Sequence, residues 1–289
     1  MDKTFLFICG FPKAGTTSLA RTLHLTGKYF CPNREEPWFF TDREKIKRHG
    51  VIADSYTYSD LYKKSGSKIC IDASVSYLND LPSVVSRVNQ EQLVAKARYL
   101  VLYRPVEERI GSMYRMFIRD GYIHPKLSLH EFVKIGLDCT DGKYGEIWEG
   151  PEDCPFIFPD IPFLKVGIAN DTIRIINSFV GNQHGFLKDL NRALVSLKLP
   201  QVDFPTLENE NISVTPRSRT TMYVVRPLLD RVPNYIRGQL KRCLFKLIYS
   251  SKRTNISVRD ELKYLDPLYQ DKFNKLLILD NEIRKLVQH

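Results

Sequence analysis

K-T-F-L-F-I-C-G-F-P-K-A-G-T-T-S-L-A-R-T-L-H-L, Lys3 to Leu25, is the stretch that decides how this chain is built. Lys3 to Cys9 is a short apolar, β-leaning run ended by Gly10, the pattern of a strand buried on both faces of a parallel sheet. From Thr16 to Leu25, Leu19 and Leu23 recur at helical spacing among small residues, and Gly27 acts as a stop signal. Between the two lies G-F-P-K-A-G-T-T-S, Gly10 to Ser18, with two glycines five positions apart and hydroxyl residues opening the helix. Backbone N–H groups and the positive end of the helix dipole converge on an oxyanion in a loop of this layout. A nucleotide triphosphatase would require G-x-x-x-x-G-K-[S/T], with lysine directly after the second glycine. Thr16 occupies that position here, and the only lysine of the loop, Lys13, lies inside it.

Working outward, Lys68 to Asp72 (K-I-C-I-D) reads as a second strand. Arg98 to Tyr103 (R-Y-L-V-L-Y) is a third, running directly into Arg104-Pro105 and a helix through about Arg119. Thr172 to Val180 offers a fourth strand. Strands alternating with helices predict an α/β fold, a three-layer sandwich with a mostly parallel central sheet, and the length fits a single domain over 1–289. Residues 138–165 are rich in Gly, Pro and aromatics without a period, and read as a long irregular loop of the kind that shapes binding sites. In the basic 226–253 segment, eight Lys and Arg face one acidic residue while Ile236, Leu240, Cys243, Leu244 and Leu247 keep helical spacing. This is a basic amphipathic helix packed on the domain, with peripheral contact to an anionic membrane as the minority reading.

The net charge of +10 favours polyanionic partners: nucleic acid, anionic lipid, an acidic glycan or a nucleotide all qualify. Six scattered cysteines, with no C-x-x-C pair and no zinc-site spacing, read as reduced and buried, and no metal site is expected. The opening apolar run is too short for a signal peptide and no stretch is long enough to span a membrane, so the expectation is a soluble, cytoplasmic chain.

K-A-G-T-T-S after a short strand resembles the 5′-phosphosulfate loop of the sulfotransferase superfamily, whose donor is 3′-phosphoadenosine 5′-phosphosulfate. The resemblance implies that Lys13, Ala14, Gly15, Thr16, Thr17 and Ser18 hold the phosphosulfate. Lys13 would reach the oxygen bridging phosphate and sulfate. Tyr99 to Phe117, Y-L-V-L-Y-R-P-V-E-E-R-I-G-S-M-Y-R-M-F, resembles the family's 3′-phosphate site, an arginine at a strand end followed eight positions later by a helical serine. Arg104 and Ser112 fit it, and a guanidinium fork plus a hydroxyl suit a dianionic phosphate that ATP lacks.

Arg34 to Phe40, R-E-E-P-W-F-F, resembles the E-P-x-F-F region of glycan sulfotransferases, the heparan sulfate type among them, and places Glu36 as catalytic base. Trp38 stands where histidine is frequent in that group. I-D-A-S-V-S-Y-L, Ile71 to Leu78, resembles the segment after the second family strand, with Ala73 in place of a substrate-side lysine. Glu208 to Arg219 and Leu265 to Phe273 resemble bacterial members, and Arg217 is a further candidate for holding the nucleotide. The implied reaction is metal-free in-line displacement at sulfur. The product is adenosine 3′,5′-bisphosphate, and Lys13 steadies the leaving group. The acceptor is a hydroxyl or amine, on a glycan or glycolipid by the E-P-W-F-F resemblance, with Trp38, Tyr144 and Trp148 as stacking groups. Phenols, other small metabolites and peptidyl tyrosine stay open. The rival readings are a P-loop nucleotide kinase or triphosphatase, which Lys13 disfavours, and a basic nucleic-acid-binding module, for which no RNA-binding motif appears.

Overall fold

The computed structural model describes residues 3–33, 36–41, 54–66, 68–124, 126–140, 154, 156–179, 185–204, 215–216, 249–250 and 258–287. Its central sheet contains β1 (Lys3–Gly10), β2 (Tyr29–Phe30), β3 (Ile69–Asp72), β4 (Val94–Tyr103) and β5 (Ile173–Asn177). The order is β2-β3-β1-β4-β5 and every pairing is parallel. Helices flank the sheet, as the alternation of strand and helix predicts: α1 (Thr16–Leu25), α2 (Ser55–Leu61), α3 (Leu81–Val88), α4 (Val106–Asp120), α5 (Leu129–Cys139), α6 (Ile161–Ala169) and α7 (Phe186–Ser196). A two-residue antiparallel pair, β6 (Thr215–Pro216) with β7 (Tyr249–Ser250), precedes α8 (Val258–Leu262) and α9 (Pro267–Val287). None of the described helices is long and apolar enough to cross a membrane.

β1 is the centre of the sheet because its side chains can tolerate no water on either face: Phe5, Leu6, Phe7, Ile8 and Cys9 are all fully buried. Each apolar side chain of this kind contributes about 1.5–3 kcal/mol when removed from water. Phe5 and Phe7 pack into an aromatic cluster with Tyr58, Tyr62, Phe40 and Tyr99, for example Phe5 against Tyr62 at 4.8 Å and Phe7 against Tyr99 at 5.1 Å between ring centroids. A second apolar cluster joins α4 and α5 to α8 and α9 through Ile110, Phe117, Phe132, Val258 and Phe273.

The chain leaves β1 toward β2 and β3, then returns past β1 to form β4 and β5 on its other side. The carboxyl ends of β1 and β4 are thus neighbours at a reversal of strand order, where open α/β sheets bind ligands. Gly10 pairs with Leu102 at that edge, which puts the Gly10–Ser18 loop beside Arg104.

Several boundaries differ from the sequence reading. β4 starts at Val94 rather than Arg98, because Val94 to Arg98 is partly exposed and shows no apolar run, yet it pairs with Lys3 to Leu6. β5 ends at Asn177, short of Val180. The irregular loop is shorter than 138–165: α5 runs on to Cys139, and α6 begins at Ile161. The start of α6 carries a local signal, since Asp160 accepts from the Phe163 N–H at 2.8 Å and Pro162 stands in the first turn. Residues 141–153 lie outside the described residues, as does the basic 226–253 segment apart from the backbone of β7.

Candidate functional site

Gly10 ends β1 where the backbone must pass close to α1: a Cβ there would stand 2.6 Å from the Thr16 Cγ2. Beyond it the loop turns on two residues in the left-handed region, Lys13 at φ 68° and Gly15 at φ 92°. Gly15 is the N-cap of α1 and offers no side-chain hydrogen bond to the first turn. The opening N–H groups of α1 are therefore left for a ligand or solvent rather than a capping side chain.

Neighbouring strand ends hold the loop by its carbonyl oxygens. Arg104, just past β4, donates from Nη1 to the Lys13 oxygen at 2.5 Å, and Ser178, just past β5, donates from Oγ to the Ala14 oxygen at 2.6 Å. No peptide bond among those described is cis, so with the Ala14 carbonyl turned to Ser178 the Gly15 N–H points the opposite way. The Gly15 N–H thus faces away from the sheet ends that grip the loop, whereas the Phe11 and Ala14 N–H groups donate to the Leu102 and Phe11 carbonyls.

Lys13 reaches over to α4, with Nζ 3.3 Å from the Met116 sulfur. Ser112, four residues earlier and buried, lies one helical turn from Met116 on the same face, and Arg115 and Arg119 flank it. The loop-facing side of α4 is consequently rich in cations. Burial, together with the charges of Arg119, Arg104 and Arg115, lowers the Lys13 ammonium to about 8, against the opposing pull of Asp120. Arg104 is itself lowered by burial, and its Nε sits 3.3 Å from the Glu108 carboxylate. Burial and the nearby Arg104 lower Arg115 as well. Glu108 beside Arg104 and Asp120, held by Arg119 at 2.8 Å, offset part of this charge, and the excess of cations suits a multiply charged anion.

Beneath the loop, Arg109 of α4 is fully buried between the rings of Phe11 and Phe158, its guanidinium carbon 4.1 and 4.7 Å from their centroids. Its one ionic partner among the described residues, Asp280 of α9, is 3.7 Å away and also accepts from the Tyr103 hydroxyl at 2.8 Å and the Val106 N–H at 3.2 Å.

Glu36 lies at the same carboxyl edge, beyond β3. Trp38 donates its indole N–H to Glu36 Oε2 at 3.0 Å, so the residue that replaces histidine in this chain is the carboxylate's own hydrogen-bond donor. Trp38 has φ 53°, and its backbone N–H donates to Ser74 Oγ at 3.0 Å. Ala73, which departs from the resembled segment's substrate-side lysine, is fully buried.

The structure therefore brings Lys13, Ala14, Gly15, Thr16, Thr17, Ser18, Arg104 and Ser112 to one region of the sheet edge. Arg217, Tyr144 and Trp148 lie outside the described residues. Sequence reasoning missed Met116, Arg115 and Arg119, although their spacing from Ser112 on a helix was available. It also missed Ser178, for which no local signal exists. Among the described residues no group of three or more His, Cys, Asp or Glu side chains is placed to hold a metal ion.

No protein-family model and no curated protein matches this chain. Solved structures do. A sulfotransferase from Alicyclobacillus acidocaldarius superposes with a TM-score of 0.57 at 20% identity, over 73% of this chain and 87% of that one. Mouse sulfotransferase SULT7A1 complexed with PAP aligns at 15% identity over 96% of this chain and 84% of that one, with a TM-score of 0.47. The chain has the sulfotransferase fold, with a parallel central sheet flanked by helices.

Proposed function

We propose that the chain transfers a sulfuryl group from 3′-phosphoadenosine 5′-phosphosulfate to an acceptor hydroxyl or amine. The observation that carries this reading is the position of Lys13. It lies inside the loop, turned toward α4, while the position at which a triphosphatase needs lysine is Thr16, buried with its methyl against Gly10. The residues fit the donor. The uncapped start of α1 and Lys13 suit the phosphosulfate, and Arg104 and Ser112 suit the 3′-phosphate. When bound, the donor supplies an electrophilic sulfur and a phosphate leaving group. Lys13 and the N–H groups of Gly15, Thr16 and Thr17 are suited to stabilise charge on the leaving oxygen, usually the largest catalytic contribution. Glu36 is the base that takes the acceptor proton, with its carboxylate oriented by the Trp38 indole.

A carbohydrate-containing acceptor is the reading favoured by the E-P-W-F-F segment. The donor half is tested by titration calorimetry of adenosine 3′,5′-bisphosphate against ATP with magnesium. Tighter binding of ATP would sink the proposal. The acceptor half is tested by incubating the protein with labelled donor and desulfated heparin. Label that passes instead to 4-nitrophenol alone excludes the carbohydrate assignment.

A further inference from the structure

We propose that Asp72 is a positioning residue for Glu36, because its buried carboxylate gathers the two hydroxyls that hold the backbone of the turn carrying that base. The inference rests on the reading of Glu36 as the base. Asp72 ends β3 and is fully buried. Its Oδ1 accepts from the Ser74 hydroxyl at 2.7 Å and the Ser74 N–H at 3.1 Å, and its Oδ2 from the Tyr77 hydroxyl at 3.0 Å and the Tyr58 hydroxyl at 3.1 Å.

Both Ser74 and Tyr77 pass the interaction on. Ser74 Oγ accepts from the Trp38 N–H at 3.0 Å, and the Tyr77 hydroxyl accepts from the Phe40 N–H at 3.2 Å. The 36–41 turn is thus fixed at alternate amides by hydroxyls that both point their protons at one carboxylate. Trp38 needs this support: a bulky residue at φ 53° persists only where its surroundings over-determine it. The Trp38 indole then completes the path to Glu36 Oε2.

A hydroxyl has one proton to donate. While Asp72 is ionised, Ser74 and Tyr77 can each donate to it and accept a backbone N–H. Once Asp72 carries a proton, at least one of its four donors, the Ser74 hydroxyl and N–H and the Tyr77 and Tyr58 hydroxyls, loses its acceptor, and the hold on the turn weakens. The groups facing Asp72 are Tyr58 and Tyr62 from α2 and the turn after it, Tyr77 from the turn after β3, Cys9 from β1 and Tyr99 from β4. All five are held protonated by burial, and among the described residues no cation neighbours it. Burial accordingly pushes the Asp72 carboxyl up to about 6 despite its hydrogen bonds.

The chain has two tryptophans, so a Trp148→Phe background leaves Trp38 as the only indole reporter. In the full-length protein, Trp38 emission followed from pH 4.5 to 8.5 should show one transition near pH 6. Asp72→Asn in the same background should abolish it, and Ser74→Ala, the milder change, should shrink its amplitude at least twofold while leaving the affinity for adenosine 3′,5′-bisphosphate within about twofold. A transition that is unchanged in both variants, or that disappears in Glu36→Gln instead, overturns the inference. This arm needs no acceptor. If the transition follows Asp72 yet Glu36→Gln keeps full sulfuryl transfer to desulfated heparin, the base assignment fails while the hold of Asp72 on the turn stands.

Discussion

Arg104 Nη1 donates to the carbonyl oxygen of Lys13 at 2.5 Å, tying the end of β4 to the turn of the Gly10–Ser18 loop. The same guanidinium meets Glu108 through Nε at 3.3 Å, so Nη2 is the atom left for the proposed 3′-phosphate contact. Arg104→Lys keeps the charge but not the planar fork that serves both. Loss of one charge-assisted hydrogen bond, about 1.5–3 kcal/mol, predicts a 10- to 100-fold weaker affinity for adenosine 3′,5′-bisphosphate. Titration calorimetry reads this directly, and an affinity within twofold of the parent would show that the fork is dispensable.

Lys13 combines a left-handed backbone with the proposed leaving-group contact, and two substitutions separate them. Lys13→Gly relieves the left-handed φ of 68° and should stabilise the fold by up to about 1 kcal/mol relative to Lys13→Ala. Both should lower the transfer rate by about 10²–10³. Urea denaturation and single-turnover kinetics on the same preparations check the pair.

The Lys13 ammonium, lowered from 10.5 to about 8, sets a pH dependence with a definite sign. Between these values the unfolded chain holds a proton that the folded, ligand-free protein has released, so stability rises with pH across that window. Anion binding favours the protonated form. Affinity for adenosine 3′,5′-bisphosphate should therefore be level below about pH 8 and fall above it, by at most about tenfold per pH unit for a single proton. Calorimetry at pH 8.5 in two buffers of different ionisation heat should reveal proton uptake that Lys13→Arg abolishes.

Gly10 and Thr16 are predicted to be coupled sterically. A Cβ on residue 10 would meet the Thr16 Cγ2 at 2.6 Å, and a buried β-branched side chain has little freedom to withdraw. Gly10→Ala should destabilise by about 1–3 kcal/mol. Adding Thr16→Ser, which removes the methyl and keeps the hydroxyl, should recover most of that loss in thermal denaturation. Strictly additive effects would contradict the contact.

Asp280 is the ionic partner of a fully buried arginine, so its replacement is predicted to be costly. Asp280→Asn leaves the Arg109 charge uncompensated and should destabilise by about 3–5 kcal/mol. Arg109→Met combined with Asp280→Asn removes both charges and should lose less than Asp280→Asn alone. A double variant as unstable as the sum of the single ones would mean that the pair is not the source of the effect.

The local grammar of the chain was sufficient for β1, the loop and α1. A buried apolar run, a glycine that admits close approach and a helical repeat all express backbone preferences acting over a few residues. The spacing of Arg104 and Ser112 was legible for the same reason, being fixed by one strand end and one helix. Glu36 became the candidate base through the resemblance of its neighbours in sequence, which left Trp38 as an anomaly. Folding makes it the donor to Glu36 and hangs its backbone from Ser74 and Asp72. Ser178, 164 positions from the Ala14 carbonyl it grips, and Met116, 103 positions from Lys13, belong to the same category. These partnerships depend on which strand ends become neighbours, and strand order is set by the packing of the whole sheet. The chain's own sequence thus determined that a tight strand-to-helix loop with an internal lysine would form at the end of a buried strand. Only the tertiary structure decided which side chains grip its carbonyls, crowd its lysine with cations and hold the carboxylate across the edge.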